Sequence, residues 1–220
     1  MNTLLTISLI CVTILTRANS KPNTDFRQVA SDLLKRSNML KDNVNDILTQ
    51  LDNQQATLNQ KTDTLNFEIP QNPKIIELES ILKQYELKKG ISTCIQLKDE
   101  KVNVVIQELK DLLRKKITEQ LNIDKLTLNS ISLTLQSISE NIQGSNLDVE
   151  IKFCEDNMEK CRLTNEYSGE VDHSQKAIDF INTSSQTLID AVLKTEVYPI
   201  LSGKVTVEIY GPVMLCIKGL

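Results

Sequence analysis

The chain lacks tryptophan, and aromatic residues make up only 4% of its 220 residues. Hydrophobic residues still account for 40%, so a core can form, but leucine, isoleucine and valine must build it. Glycine is also scarce, with six residues in the whole chain. A loop-rich β architecture needs more glycine than this, so the composition favours long helices.

Histidine and the common catalytic motifs are scarce too. His173, between Asp172 and Ser174, is the only histidine of the sequence. A Ser-His-Asp device depends on groups that converge in space, and adjacency in sequence does not show such convergence. The sequence contains no Gly-x-Ser-x-Gly elbow, phosphate-binding loop or His-Glu-x-x-His motif. It therefore predicts a protein without enzymatic activity, cofactor or metal site.

No stretch of the chain is strongly basic. The formal net charge is −4, and a mildly acidic surface repels the phosphate backbone of nucleic acids. Beyond the N-terminus, no run approaches the 18 uncharged apolar residues of a membrane-spanning helix. We therefore expect neither a nucleic-acid partner nor a membrane span.

The first 20 residues have the pattern of a secretory signal peptide. An apolar run from Leu4 to Leu15 is followed by Ala18 and Ser20, the small residues that precede a cleavage site. A run of about a dozen apolar residues is too short to span a bilayer. We predict cleavage before Lys21 and a secreted, extracellular protein.

Residues 21–69 are predicted to form an N-terminal helical arm, with one long helix from Asp25 to Asn66. Two series of residues recur every seven positions along it, as in the seam of a coiled coil. The first series is Phe26, Leu33, Leu40 and Ile47, and the second is Ala30, Ser37, Val44, Leu51, Leu58 and Leu65. The first series fails at Gln54 and Lys61, which are polar. Because prolines end the helix, residues 70–73 are predicted to be a hinge before a disulfide-stabilised helical domain of residues 74–220.

Two further helices are predicted before residue 143. The first covers residues 74–89, with Gly90 at its C-terminal cap. The second covers residues 93–142, and its apolar periodicity does not decide whether Asn122–Lys125 interrupts it. We favour a turn at that point, because Asp124 is a suitable N-cap for a new helix.

The last third of the chain is predicted to contain one more clear helix. Residues 144–146 are predicted to be a break and residues 167–169 a loop. Ser174 is the predicted N-cap of the helix, which Pro199 and Gly203 end.

The segment after that helix is ambiguous. Residues 204–210 alternate apolar and polar side chains, as a strand does. A strand needs a partner, and residues 149–153, which alternate in the same way, are the best candidate. A small two-stranded element, a helix and an extended tail therefore all stay open for residues 204–210.

Loss of the signal peptide removes Cys11 and leaves Cys94, Cys154, Cys161 and Cys216. Four cysteines in a secreted protein indicate two disulfide bonds. If residues 154–161 are helical, the first and last lie about 10.5 Å apart along the axis. A disulfide tolerates a Cα separation of about 6.8 Å at most. We therefore expect each of these two cysteines to pair with Cys94 or Cys216. A zinc site is disfavoured, because no Cys-x₂₋₄-Cys spacing occurs.

The sequence has one Asn-x-Ser/Thr sequon, at Asn182. In a secreted protein this is a glycosylation site if the asparagine faces solvent. We therefore predict a glycoprotein with its glycan on a helix.

The order of the cysteines resembles that of the TsetseEP-like domain, a family of secreted insect proteins. Cys94 is followed by the close pair Cys154 and Cys161, and Cys216 comes last. The resemblance covers about residues 91–220 and leaves the N-terminal arm unmatched. It implies an extracellular helical protein of gut, saliva or body fluid, without established enzymatic activity. Only the disulfide cysteines carry over.

The sequence thus predicts an elongated, disulfide-linked all-α bundle with a coiled-coil-like N-terminal helix. Its aliphatic stripes are typical of a bundle core. The leading hypothesis for function is protein–protein interaction, for example in defence, saliva or venom. The partner would be an extracellular protein, or a second copy bound through the N-terminal arm. The alternative is an extracellular carrier of a lipid or other small apolar ligand, which needs a cavity.

Overall fold

A computed structural model describes residues 25–65, 67–144 and 146–220, except for the side chain of Asn59. The predicted signal peptide of residues 1–20, its cleavage site and Cys11 lie outside the described residues. Every secondary-structure element within the described ranges is helical. The prediction of an all-α fold is therefore confirmed.

The helices follow one another with short connections. The α-helices are α1 (Phe26–Asp63), α2 (Pro73–Gln84), α3 (Ile91–Gln143), α4 (Leu147–Asp156), α5 (Ser168–Gln186), α6 (Leu188–Val192), α7 (Tyr198–Lys204) and α8 (Gly211–Lys218). Ile69–Gln71 and Met158–Lys160 form 3₁₀ turns, and Leu163–Tyr167, Leu193–Val197 and Val205–Tyr210 form π-helical turns. The uninterrupted helical stretch Leu188–Lys218 is called the C-terminal segment.

The chain divides into two compact units. The described part of unit 1 comprises residues 25–41 and Leu133–Ser174, and unit 2 comprises Asp42–Ser132 and Gln175–Leu220. Residues of α1, α3 and α5 are therefore shared between the units. These bounds differ from the arm, hinge and domain expected from the sequence, and a separate role for residues 21–69 stays a prediction.

The long N-terminal helix is confirmed, and its heptad seam is buried. No member of either series from Phe26 to Leu58 is more than 5% exposed. The seam fails where the sequence indicates, because Gln54 is half-buried and Lys61 is exposed. The heptad residues are thus part of the hydrophobic cores of the two units.

The turn expected at residues 122–125 is wrong, because α3 continues through it for 53 residues in all. Asp124 is only 6% exposed and caps no helix. Its Oδ1 instead accepts a hydrogen bond of 2.9 Å from Nε2 of Gln120, one turn earlier. Because Leu121 and Leu128 keep the helical spacing on either side, the buried stripe passes through without interruption.

The second helix is shorter than expected. It ends at Gln84, with Tyr85 as its C-cap, rather than at residue 89. Gly90 therefore does not cap it, but lies in the turn before α3 with φ of 92°. Residues with a side chain rarely adopt this left-handed conformation, which explains the glycine.

Residues 149–153 belong to α4 and residues 205–210 form a π turn, so the helical one of the three alternatives left open for residues 204–210 is found. Two expectations for the last third of the chain are wrong. Residues 167–169 form no loop, because a π turn leads directly into α5. Ser174 lies within α5 and is buried, so it is not an N-cap. The predicted break between α3 and α4 is confirmed, since α3 ends at Gln143 and α4 begins at Leu147.

The π turns have a cause in the spacing of the buried residues. From Leu193 onward in the C-terminal segment these recur every four positions, with one gap at residue 201, and they are Leu193, Val197, Val205, Ile209, Val213 and Ile217. On an α-helix of 3.6 residues per turn, a step of four rotates the stripe by about 40°. A π turn holds more residues than an α turn, so it returns the stripe toward the core. The apolar and polar alternation of residues 204–210 is therefore not that of a strand. Val205 and Ile209 are buried positions within one π turn.

Candidate binding surfaces

The structure places His173 and its two sequence neighbours in different surroundings. His173 is exposed on α5, whereas Ser174 is buried. Oδ1 of Asp172 accepts a hydrogen bond of 2.5 Å from Arg36 of α1. In the described ranges, no group of three or more His, Cys, Asp or Glu side chains could hold a metal ion.

The four cysteines form two disulfide bonds, but the pairing expected from the sequence is wrong. Cys94 pairs with Cys216, and Cys154 pairs with Cys161. The expectation assumed a helix over residues 154–161, whereas α4 ends at Asp156 and a 3₁₀ turn follows. The chain therefore turns back on itself, which leaves the Cα atoms of Cys154 and Cys161 only 4.5 Å apart.

Polar contacts attach the side of the C-terminal segment that faces the core to the rest of unit 2. Nζ of Lys204 donates hydrogen bonds to the carboxylates of Glu108 on α3 and Glu208, the latter at 2.8 Å. The hydrogen bond from Lys204 lowers the pKa of Glu108, and the same contact raises the pKa of Lys204. The Tyr210 hydroxyl also donates a hydrogen bond of 2.6 Å to Glu77 of α2.

The opposite side of the C-terminal segment is a stripe without charge, which we call the outer face. It consists of Pro199, Gly203, Val207, Gly211 and Leu215, spaced four residues apart between the buried positions. Val207 is 73% and Leu215 is 71% exposed. Among the described residues, no heavy atom comes within 4 Å of the point where a Cβ of Gly203 would lie. The outer face is therefore apolar, and open to solvent at Gly203.

The C-terminal segment is also long and apolar enough to cross a membrane, by length and composition alone. Its most apolar window has a mean hydropathy of 1.4, and 22% of that window is buried. It is the one such helix in the described part of the chain. A search for uncharged runs misses it, because charged residues such as Lys204 and Glu208 interrupt the sequence. Core helices of soluble proteins can be equally long and apolar. The charges of Lys204 and Glu208 neutralise each other in an ion pair.

A cleft lies in unit 2, where α5 ends at Gln186 and the C-terminal segment begins at Leu188. Its volume is about 350 Å³, near the lower end of small-molecule sites, about 300–1,000 Å³. The floor consists of the buried side chains of Leu58, Ile117 and Leu121. The rest of the lining is formed by Gln54, Lys61, Thr64, Leu65, Ser185, Gln186, Leu188, Ile189 and Asp190. An apolar floor with a few polar groups around it is the usual composition of a ligand site.

The cleft lies where α5 ends and where the apolar heptad seam of α1 is interrupted. The helix of α5 is interrupted at Thr187, which has φ of −109° and ψ of 9°. On the facing helix, the heptad seam has Gln54 and Lys61 in place of apolar residues. Their failure in the heptad pattern was the sequence signal for this site, although sequence analysis alone did not connect it with a cleft.

Asn182 lies on α5 and is partly exposed. Its backbone carbonyl accepts a hydrogen bond of 3.1 Å from the Ser185 hydroxyl. Glycosylation of the Asn182 side chain stays a prediction.

No family model, curated protein or solved structure matches the chain.

Proposed function

We propose that the protein is a secreted, non-enzymatic binding protein that contacts another extracellular protein. The observation that carries this proposal is the outer face of the C-terminal segment. Exposed apolar surfaces of this kind mark interaction sites in soluble proteins. Because Gly203 has no side chain, a partner can approach the helix backbone closely there.

Two features support the proposal that the protein is secreted. The N-terminal sequence has the pattern of a signal peptide, and two disulfide bonds are typical of oxidising compartments. Membership in the TsetseEP-like family is likewise a proposal, supported by the order of the four cysteines. Expression in eukaryotic cells tests secretion, since the chain should reach the medium and begin at Lys21.

The N-terminal arm is a less suitable surface for self-association than the sequence indicated. Its heptad residues from Phe26 to Leu58 are buried within the chain. Two copies would therefore have to pair through other faces of α1, or through the outer face.

The interaction can be tested with Val207→Asp, which places a charge at the middle of the outer face. Leu126→Asp is the matched control, because Leu126 is 71% exposed on α3 of the same unit. Complexes that form with the secreted protein are measured by native mass spectrometry and chemical cross-linking. We expect Val207→Asp to remove them and Leu126→Asp to leave them unchanged. Equal effects of the two variants would contradict a role for the outer face.

A second function, the carriage of a small apolar ligand, is favoured by the cleft in unit 2. Its volume of about 350 Å³ and its buried aliphatic floor suit a small ligand. Native mass spectrometry of the secreted chain tests this function. An additional mass that is not glycan and leaves on denaturation is expected, and a protein mass without it would contradict the carrier.

A further inference from the structure

We propose that the cleft of unit 2 binds a molecule with an aliphatic chain and a carboxylate, and that Lys61 receives the carboxylate. This inference rests on the second proposed function, that of a carrier, and adds the chemical class of the ligand.

The floor of the cleft selects an aliphatic chain. Leu58, Ile117 and Leu121 are 4%, 2% and 1% exposed, and none of them carries a polar side-chain group. If a methylene group takes roughly the 30 Å³ share of a water molecule, the volume holds a chain of about ten carbon atoms. The volume lies within the range of small-molecule sites, so the occupant that we propose is a small molecule.

Lys61 supplies the charge that selects the head group. It lies on the same side of α1 as Gln54 and Leu58, seven residues after the first and three after the second, and Leu65 follows just beyond the end of the helix. The end of α1 therefore lines the cleft with the apolar Leu58 and the cation of Lys61, and Leu65 adds a second apolar residue just beyond the helix.

Lys61 also differs from the neighbouring cations of unit 2. Nζ of Lys110 donates to the carbonyl oxygen of Asp63 at 2.8 Å, and Arg114 pairs with the Asp63 carboxylate at 2.5 Å. Lys125 pairs with Asp52 at 2.8 Å. In the described part of the chain, no hydrogen bond or ion pair engages the ammonium group of Lys61. A ligand carboxylate would give it the charge-assisted hydrogen bond that these neighbours have within the protein.

Asp190 lines the cleft from the C-terminal segment and has the opposite charge. It does not lie on α1, the helix that contains the floor residue Leu58. An amine held by Asp190 is the competing ligand chemistry, and the experiment includes it.

The test compares three ten-carbon probes, namely decanoate, decan-1-ol and decylamine. Their affinities are measured by isothermal titration calorimetry on the full chain secreted from a eukaryotic host. We expect decanoate to bind about tenfold more tightly than decan-1-ol, because only the carboxylate forms a charged hydrogen bond. Lys61→Gln should remove this difference. The matched control is Lys83→Gln, an exposed lysine of α2 outside the cleft, which should preserve it.

A further variant tests the location of the ligand. Leu188 is half-buried in the cleft wall, so Leu188→Trp should fill the cleft without disturbing the floor. We expect it to abolish decanoate binding while the circular dichroism spectrum stays helical. Decanoate binding that survives Leu188→Trp in a folded protein would place the ligand elsewhere and overturn the inference.

The outcomes separate the inference from the function on which it rests. Equal affinities for decanoate and decan-1-ol, with no effect of Lys61→Gln, would overturn the head group and leave the carrier function intact. If decylamine binds most tightly and Asp190→Asn abolishes its binding, the head group of the ligand is an amine, and the proposed carboxylate is wrong. If none of the three probes binds, both the inference and the carrier function fail, while the protein-interaction proposal is unaffected.

Discussion

At the scale of single residues, Ser37 is a polar group in an otherwise apolar seam. It is 0% exposed, and its Oγ has no hydrogen-bond partner among the residues that the structure describes. Most buried polar groups are paired, because an unpaired one loses its hydrogen bonds to water without compensation. Ser37 therefore lowers the stability of unit 1.

We predict that Ser37→Ala raises the free energy of unfolding by about 1 kcal/mol, since it removes the unpaired hydroxyl. Ser31→Ala is the control, because Ser31 is exposed on the same helix and gains only helix propensity. Urea unfolding at neutral pH measures both. A gain no larger than that of Ser31→Ala would show that the Ser37 hydroxyl is satisfied.

Two glycines should respond in opposite ways to alanine. Gly90 has φ of 92°, and an added Cβ would lie 3.0 Å from the Leu220 side chain, so we expect Gly90→Ala to destabilise the protein by about 1 kcal/mol or more. Gly203 lies in α7 with open space around it, so Gly203→Ala should stabilise by about 0.5–1 kcal/mol. Thermal unfolding of the two variants checks the signs. Stability changes of the same sign in both variants would contradict the role of backbone conformation at these two glycines.

At the scale of elements, the C-terminal segment depends on contacts from several sources. Its buried stripe packs in unit 2, Cys216 is bonded to Cys94, and Lys204 is bonded to Glu108. The inner side is thus fixed while the outer face stays free. This combination suits a helix that presents an apolar surface without detaching from its unit.

The contact of Lys204 with Glu108 predicts a pH dependence. The pKa of Glu108 is lowered from its ordinary value of 4.5, mainly by the hydrogen bond from Lys204. Its contribution to stability is therefore present above pH 4.5 and is lost as the pH falls through the lowered pKa. Glu108 is exposed, so the contribution is at most about 1 kcal/mol and decreases with salt.

We expect Glu108→Gln to be less stable than the unmodified protein at neutral pH and equally stable in strong acid. Glu100→Gln is the control, since Glu100 accepts a hydrogen bond from Gln96 of its own helix rather than from another element. Urea midpoints measured from pH 7 to pH 2 check this. A difference between Glu108→Gln and the unmodified protein that persists at pH 2 would contradict the role of ionisation.

At the scale of the whole molecule, the two disulfides constrain the chain to different degrees. Cys94–Cys216 spans 122 residues within unit 2, whereas Cys154–Cys161 spans seven residues within unit 1. In the chain-entropy model, a longer closed loop removes more freedom from the unfolded chain. The two bonds are then worth about 5 and about 2 kcal/mol respectively.

We predict that the double variant Cys94→Ala/Cys216→Ala loses more stability than Cys154→Ala/Cys161→Ala, by about 2–3 kcal/mol. Non-reducing urea unfolding of the secreted proteins measures this difference. Peptide mapping of the unmodified protein provides the control, because it should recover only the pairs seen in the structure. A bridge between Cys94 and Cys154 would contradict the pairing and the loop lengths together.

Sequence patterns predicted the helical class, the long first helix and its buried seam. These properties depend on neighbours three or four residues apart, so periodicity is enough to reveal them. The break before Leu147 was predicted for a similar reason, because Gly144 to Asn146 disfavour a helix locally. Gln54 and Lys61 were recognised as irregular positions, but their role as cleft lining needed the facing helices.

Only the tertiary structure decided which local signals mattered. Asp124 and Ser174 are good caps by type, yet burial kept both inside helices, because the apolar stripes around them continue. The apolar and polar alternation at residues 205–209 is typical of a strand. Val205 and Ile209 pack instead in the core of unit 2, and the segment forms a π turn. The turn after Asp156 paired Cys154 with Cys161, a contact that no spacing rule could reveal once a helix was assumed. Sequence thus determined what each segment favours by itself, and long-range burial determined where segments end, which cysteines meet and where a cleft is left open.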